Sequence, residues 1–235
     1  MAYLRYCAGM VALALSGCGL ISSDVTNFDL TLPDKSFSID TASWQVDPSA
    51  AMAFTSTTCD SSQPPPNLCS SAAMQACPMN CTGTCASSNT CQLALDVSVY
   101  NPVNLEMEKP ELKTINDQPV IKVTIDSVTY DVTDNSLNID TPAMTVYVAP
   151  MSVTSSTDPK AVAIGTIEPV PAGTTATGKE MHYTAAGKQA LIDVMSTFKT
   201  PFNVIVGGQL VITKDTPVPM GKLDAVVHIK AHAGV

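Results

Sequence analysis

From Phe28 onward, apolar and polar positions alternate over most of the chain. Phe28-Asp29-Leu30-Thr31-Leu32 sets three apolar side chains on one face, as a half-buried strand does. Pro33-Asp34-Lys35 can turn the chain, and Phe37 and Ile39, then Trp44 and Val46, resume the pattern. Trp44 is the single tryptophan and is expected as a core or inter-sheet anchor. The clearest strand carries Leu93, Leu95, Val97 and Val99 on one face, with Asp96 and Ser98 on the other. It is expected to end at Asn101-Pro102, because proline cannot donate to a ladder. Residues 104–119 are charged and bounded by prolines, which predicts a loop with room for a short edge strand. Ile121, Val123 and Ile125 form the next apolar face. The phase then slips by one residue to Val128, Tyr130 and Val132, which predicts a bulge near Asp126-Ser127. Leu137-Ile139, then Met144, Val146 and Val148 closed by Pro150, then Val162 and Ile164, read as further strands.

One helix is predicted from Thr184 to Lys199. Thr184 can cap it, Leu191, Val194, Met195 and Phe198 share a face, and Pro201 stops it. Phe202 to Lys214 is β, interrupted by Gly207-Gly208, either a two-residue hairpin turn or a bulge in one long strand. The last strand runs from Leu223 to Ala233. Strands at roughly ten-residue spacing, joined by turn signals, argue for an antiparallel β-sandwich. The fold expected is therefore mainly β, with one helix in the C-terminal half.

Cysteine usage adds an insert to this picture. Six of the eight cysteines, Cys59, Cys69, Cys77, Cys81, Cys85 and Cys91, fall between residues 55 and 92. An even set within one short segment reads as three disulfides, with the pairing left open. A metal cluster at Cys77-x3-Cys81-x3-Cys85 is the competing reading, since the spacing suits zinc, but no histidine lies nearby. The insert is rich in Ser, Thr, Asn and Pro. It is expected to supply staples rather than core, with its ends near Phe54 and Leu93 close together and the insert separable from the sandwich.

Ahead of the alternation lies Leu15-Ser16-Gly17-Cys18, preceded by Arg5 and an apolar run from Cys7 to Leu15. The run is too short for a permanent membrane span and reads as a secretory signal. The four residues resemble the lipobox of bacterial lipoproteins. That resemblance implies cleavage before Cys18, a diacylglyceryl thioether on its sulfur and acylation of its new amino group. Gly19 follows, rather than the aspartate of an inner-membrane retention signal, so an outer-membrane, lipid-anchored location is expected. The organisation expected is a signal peptide over 1–17, a lipidated tether over 18–27, and the sandwich over 28–235.

The chain carries 12 Lys+Arg against 21 Asp+Glu, and of these only Arg5 leaves with the signal. So acidic a chain repels phosphate backbones, which excludes nucleic acid as a partner. It repels anionic lipid surfaces too, so attachment to a membrane falls to the lipid on Cys18.

Several motifs come close to known chemistry and fail it. Gly173-Thr174-Thr175-Ala176-Thr177-Gly178-Lys179 fits most of a phosphate-binding loop, but Glu180 stands where a hydroxyl should hold magnesium. Ser196-Thr197-Phe198-Lys199 has the Ser-x-x-Lys spacing of penicillin-recognising enzymes, but it closes a helix instead of opening one. His228 and His232 share a face of a strand about 13 Å apart, too far to chelate one ion, and read as solvated polar-face histidines. Asp134, Asn138 and Asp140 lack the glycine and glutamate of a calcium loop. No cofactor, metal or catalytic residue is therefore expected.

Val97-Ser98-Val99-Tyr100-Asn101-Pro102 and Asp126-Ser127-Val128-Thr129-Tyr130-Asp131-Val132 resemble two strand signatures of the LEA14-like (water stress and hypersensitive response) β-sandwiches. Pro171-Ala172-Gly173, the Thr184–Lys199 helix and two closing strands follow in that family's order. The chain departs from the family in its cysteine insert and in the length between the two signatures. The resemblance spans about residues 93–235. It implies an Ig-like, mostly non-enzymatic domain linked to stress protection. The function expected is a lipid-anchored envelope module that binds, scaffolds or protects, with an envelope protein as possible partner. The alternative is a carrier of a lipid or other apolar ligand, held between the sheets with the helix as lid.

Overall fold

The structure, a computed structural model, describes residues 27–63, 68–77, 81–114 and 121–234. The signal, Cys18 and most of the tether lie outside the described residues. The elements in order are β1 (Asn27–Asp29), β2 (Lys35–Asp40), α1 (Pro48–Thr55), α2 (Leu68–Ala76), β3 (Cys81–Cys85), β4 (Cys91–Val103), α3 (Leu105–Glu108), β5 (Lys122–Asn135), β6 (Met144–Pro150), β7 (Val162–Ile167), β8 (Ala176–Glu180), β9 (His182–Tyr183), α4 (Ala185–Ser196), β10 (Phe202–Ile212) and β11 (Lys222–Gly234). They form a mainly β sandwich of two antiparallel sheets. One sheet has β1 and β2 on one side of β11, and β5 then β8 on the other. The second runs β3-β4-β10-β6-β7-β9.

β11 is the spine of the first sheet. Leu223, Val227, Ile229, Ala231 and Ala233 alternate inward and are buried. β1 and β2 are two halves of one strand along it. β1 pairs Asn27 with Gly234, Leu30 and Leu32 donate to Ala231 and Ile229 at 2.9 Å, and β2 resumes at Lys35 opposite Val227. The register shifts by one residue at Pro33-Asp34, so Leu30, Leu32, Phe37 and Ile39 all stay inside. β5 carries the predicted bulge: Ile125 pairs with Ala231 and Ser127 with Lys230, leaving Asp126 as the extra residue. A second shift makes Thr133 extra between Val132 and Asp134.

The predicted helix is α4. The Thr184 hydroxyl accepts from the Gly187 N–H at 2.9 Å, and Leu191, Met195 and Phe198 are fully buried. Gly187 lets α4 lie directly on β7, since a Cβ there would overlap the Ile164 carbonyl. Gly207-Gly208 is neither a turn nor a bulge. β10 runs unbroken, pairing Gly207 with Ser98 and Gly208 with Val97. The missing side chain at Gly207 admits Ser156 from the β6–β7 connection, which bonds Ser98 at 2.8 Å. That connection also lays Val153 over Ile205 on the outer face of the sheet.

Other expectations are corrected. β4 continues through Asn101-Pro102 to Val103, because β3 pairs only with Cys91–Leu95 and Pro102 sits where β4 has β10 on one side alone. After β4 the chain forms α3 and a 3-10 turn over Pro110–Thr114 rather than a strand, with Leu105 and Leu112 buried. Leu137-Ile139 is loop. Asn135 and Asn138 hold it, spending their amides on Pro171, Thr174 and Val218 carbonyls.

The insert also differs from its expectation. Its ends do meet: Thr58 bridges to Thr90, and Phe54 and Leu93 share one apolar cluster. Its cysteines pair as Cys59–Cys85, Cys69–Cys91 and Cys77–Cys81, with Cα separations of 5.9, 5.5 and 5.9 Å. However, it is more than staples. Cys69, Ala73, Ala76 and Cys91 of the insert pack with Ala51 and Phe54 of α1 and with Leu93, Leu95, Leu210 and Ile212 into a second core. The small residues of α2 allow close approach to β3, where a Cβ on Gly83 would overlap the Cys69 carbonyl. The insert therefore covers one end of the second sheet, and the sandwich is not complete without it. Trp44 is partly buried against both cores, as an anchor should be.

Gly187 gives a test in which two effects oppose each other. In an exposed helix interior, Gly→Ala stabilises by about 1 kcal/mol. Here the overlap with Ile164 should dominate, and Gly187→Ala should lower the unfolding free energy by about 1–3 kcal/mol in urea denaturation.

Candidate functional site

The polar face of the first sheet brings two of the three histidines, His228 and His232, together with carboxylates. Alternation along β11 turns Asp224, His228, Lys230 and His232 outward. Two of the carboxylates that meet the histidines stand at irregularities. Asp34 lies in the kink between β1 and β2, and Asp126 is the bulged residue of β5. An extra residue in a ladder re-aims its side chain, and that brings both within reach of β11.

His228 is gripped from both sides. Its Nδ1 lies 2.6 Å from Asp34 Oδ1, and its Nε2 lies 3.3 Å from Asp131 Oδ2. Asp131 also accepts from the Gly178 N–H of β8 at 2.6 Å. The cluster thus ties the β1–β2 kink, β11, β5 and β8 across the sheet. His232 Nδ1 lies 3.0 and 3.1 Å from the two oxygens of Asp126. The hydrogen bond to Asp34 raises the His228 pKa above the usual imidazole value; partial burial opposes this and Asp131 adds to it. The Gly178 N–H, followed by His228, holds Asp131 below the usual carboxylate range.

This arrangement favours an imidazolium, whose two N–H groups donate to two carboxylates. It leaves no ring nitrogen with a free lone pair. A general-base histidine keeps one nitrogen turned to a nucleophile or substrate, and a metal ligand offers a lone pair to the ion. Asp34 and Asp131 also sit on opposite edges of the ring, so the three groups do not converge on one ion. The expectation of polar-face histidines holds, and His232 is half exposed; what it lacked is that both pair with carboxylates across strands, with His228 the more buried of the two.

Among the described residues, the set of three potential metal ligands that does converge is Cys59, Cys69 and Cys85, with sulfurs within 4.8 Å of one another. All three are in disulfides, and the spacing Cys77-x3-Cys81-x3-Cys85 does not describe that set. The rejected motifs have other roles. Gly173 lies in a turn and residues 176–180 form β8, not a helix start. Ser196 ends α4. Asn138 spends its amide and carbonyl on Val218 and Met220, and Asp140 accepts from Ala172.

Space for a ligand is limited inside. The void between the sheets, lined by Phe37, Tyr130, Met144, Val206 and other apolar side chains, holds about 40 Å³. Two surface grooves are larger. One of about 390 Å³ lies between α4 and the β6–β7 edge, and one of about 430 Å³ lies between α1 and the β10–β11 connection. Comparison with known proteins finds no matching family model, no matching curated protein and no matching solved structure. The sequence marked His228 as outward-facing, but its partners Asp34 and Asp131 are set by register and bulges that only the folded sheet displays.

The clamp makes a pH-dependent contribution. A folded pKa raised above the unfolded value of about 6.5 stabilises fully below that pH and loses its effect as pH rises through the folded pKa. His228→Gln should therefore melt below the native protein near pH 5.5, and the gap should close at alkaline pH.

Proposed function

We propose that the chain is a lipid-anchored outer-membrane lipoprotein whose β-sandwich acts as a non-enzymatic binding, scaffolding or stress-protection module. The observation that carries this reading is the position of β1. Only residues 19–26 separate Cys18 from the first strand. At about 3.5 Å per residue, that tether holds the domain within roughly 30 Å of a lipid on Cys18. β1 pairs with the Gly234 end of β11, so the disulfide insert and the β10–β11 connection occupy the far end of the sandwich. Such a module would present the stapled end away from the membrane.

The non-enzymatic reading is supported by the clamp, where both nitrogens of His228 are committed to carboxylates. The LEA14-like resemblance belongs to the same proposal. It is supported by the order of the Pro171-Ala172-Gly173 turn, α4, β10 and β11. The carrier reading is less well supported. Pockets for small molecules usually hold about 300–1,000 Å³, well above the void between the sheets. α4 places Leu191 and Met195 in the core, and Phe198 just beyond its end is buried with them, so it is a wall of the sandwich and not a lid.

Fatty-acid labelling and membrane fractionation test the anchor. The native chain should take label and sediment with the outer membrane, while Cys18→Ser should be unlabelled and soluble in the periplasm. Label on the variant, or none on the native chain, would sink the assignment.

A further inference from the structure

Two of the three bridges in the insert lie side by side. The sulfurs of Cys59, Cys69 and Cys85 all fall within 4.8 Å of one another, so the Cys59–Cys85 bridge faces one end of the Cys69–Cys91 bridge. The two differ in access. Cys59 and Cys85 are half-buried, in the loop after α1 and at the end of β3, whereas Cys69 and Cys91 are fully buried between α2 and β4. Cys77–Cys81 is not part of the trio.

We propose that Cys59–Cys85 is a thiol–disulfide exchange site that takes an external thiolate and passes the exchange to Cys69–Cys91. Access decides where the thiolate enters, and of these two neighbouring bridges only the outer one offers it. The thiolate attacks Cys59 or Cys85; the bond between them breaks, and the attacked cysteine holds the external thiol as a mixed disulfide. The other cysteine leaves as a thiolate, one side-chain rotation from Cys69. It attacks the Cys69 sulfur, forms a new bridge there and expels Cys91, which takes up a proton. One thiol and two disulfides enter; two disulfides and one thiol result, with no net oxidation. The thiol released is Cys91, in a site already packed for a small apolar side chain, where burial favours the protonated form. α2 stays linked to the insert throughout, so the second core survives the rearrangement.

The test uses the mature protein with its bridges formed, in glutathione buffers of rising thiol fraction, within the range where circular dichroism stays native. Acid quenching, alkylation and peptide mapping then locate each thiol. The expected first product carries glutathione on Cys59 or Cys85, an alkyl label on Cys91, and a bridge from Cys69 to the remaining cysteine of the outer pair. A Cys69→Ala, Cys91→Ala variant should still take glutathione at the outer bridge but keep its label on Cys59 or Cys85. Label confined to Cys59 and Cys85 in the native protein, with Cys69–Cys91 intact, would overturn the proposal. So would first opening at Cys69–Cys91 or Cys77–Cys81, or no opening before the fold is lost. The native mapping decides the matter even if the double variant fails to fold.

Discussion

The register of β11 against its two neighbours is the constraint on which the rest of the sandwich depends. A strand has a side-chain period of two, so a one-residue slip would send its whole apolar set to solvent. β11 must satisfy this on both edges at once, against the β1–β2 strand and against β5. Each neighbour meets it with an irregularity: the kink at Pro33-Asp34, and the extra residues Asp126 and Thr133. Were the same sequence paired in one regular register, with no shift at these points, Phe37 and Ile39, or Val123 and Ile125, would face outward. The same irregularities aim Asp34 and Asp126 at His228 and His232. The devices that keep the core in register therefore also build the charged clamp on the polar face.

The sequence was most legible where one face of a strand or helix is buried. The alternation in β4, β5, β6, β10 and β11 showed, and so did the phase slip at Asp126 and the cap at Thr184. Elements without an apolar stripe of their own were hidden. β8 is an exposed edge whose one apolar side chain is Ala176, and β3 pairs through Cys-Thr-Gly-Thr-Cys, which carries no apolar alternation. α2 buries only Cys69, Ala73 and Ala76, residues too small to mark a face. α1 had a readable start in Asp47-Pro48, whose carboxylate caps Ala50 at 2.6 Å. Gly207-Gly208 reads as punctuation, yet its function is close approach by Ser156, a contact between residues distant in sequence.

The insert shows how a polar, cysteine-rich segment can still complete a core. Its apolar contribution is spread over alanines and half-cystines, and its larger partners, Leu93, Leu95, Leu210 and Ile212, belong to the sandwich strands. Bridges restrict the unfolded segment, and the folded segment covers the sheet end those leucines leave open. The proposed lipid on Cys18 and this stapled end would then lie at opposite ends of the same two-sheet body.

Single-residue deletions in β5 test the register account most directly. Removing Asp126 joins Ile125 to Ser127, which already pair with Ala231 and Lys230, so the ladder becomes regular and every apolar side chain keeps its face. Removing Thr129 instead joins Val128 to Tyr130, two inward residues, and forces one half of the strand to flip. Thermal melts followed by circular dichroism should show a cooperative transition retained without Asp126 and lost, or greatly lowered, without Thr129. Equal damage from both deletions, or greater damage from the loss of Asp126, would contradict the account.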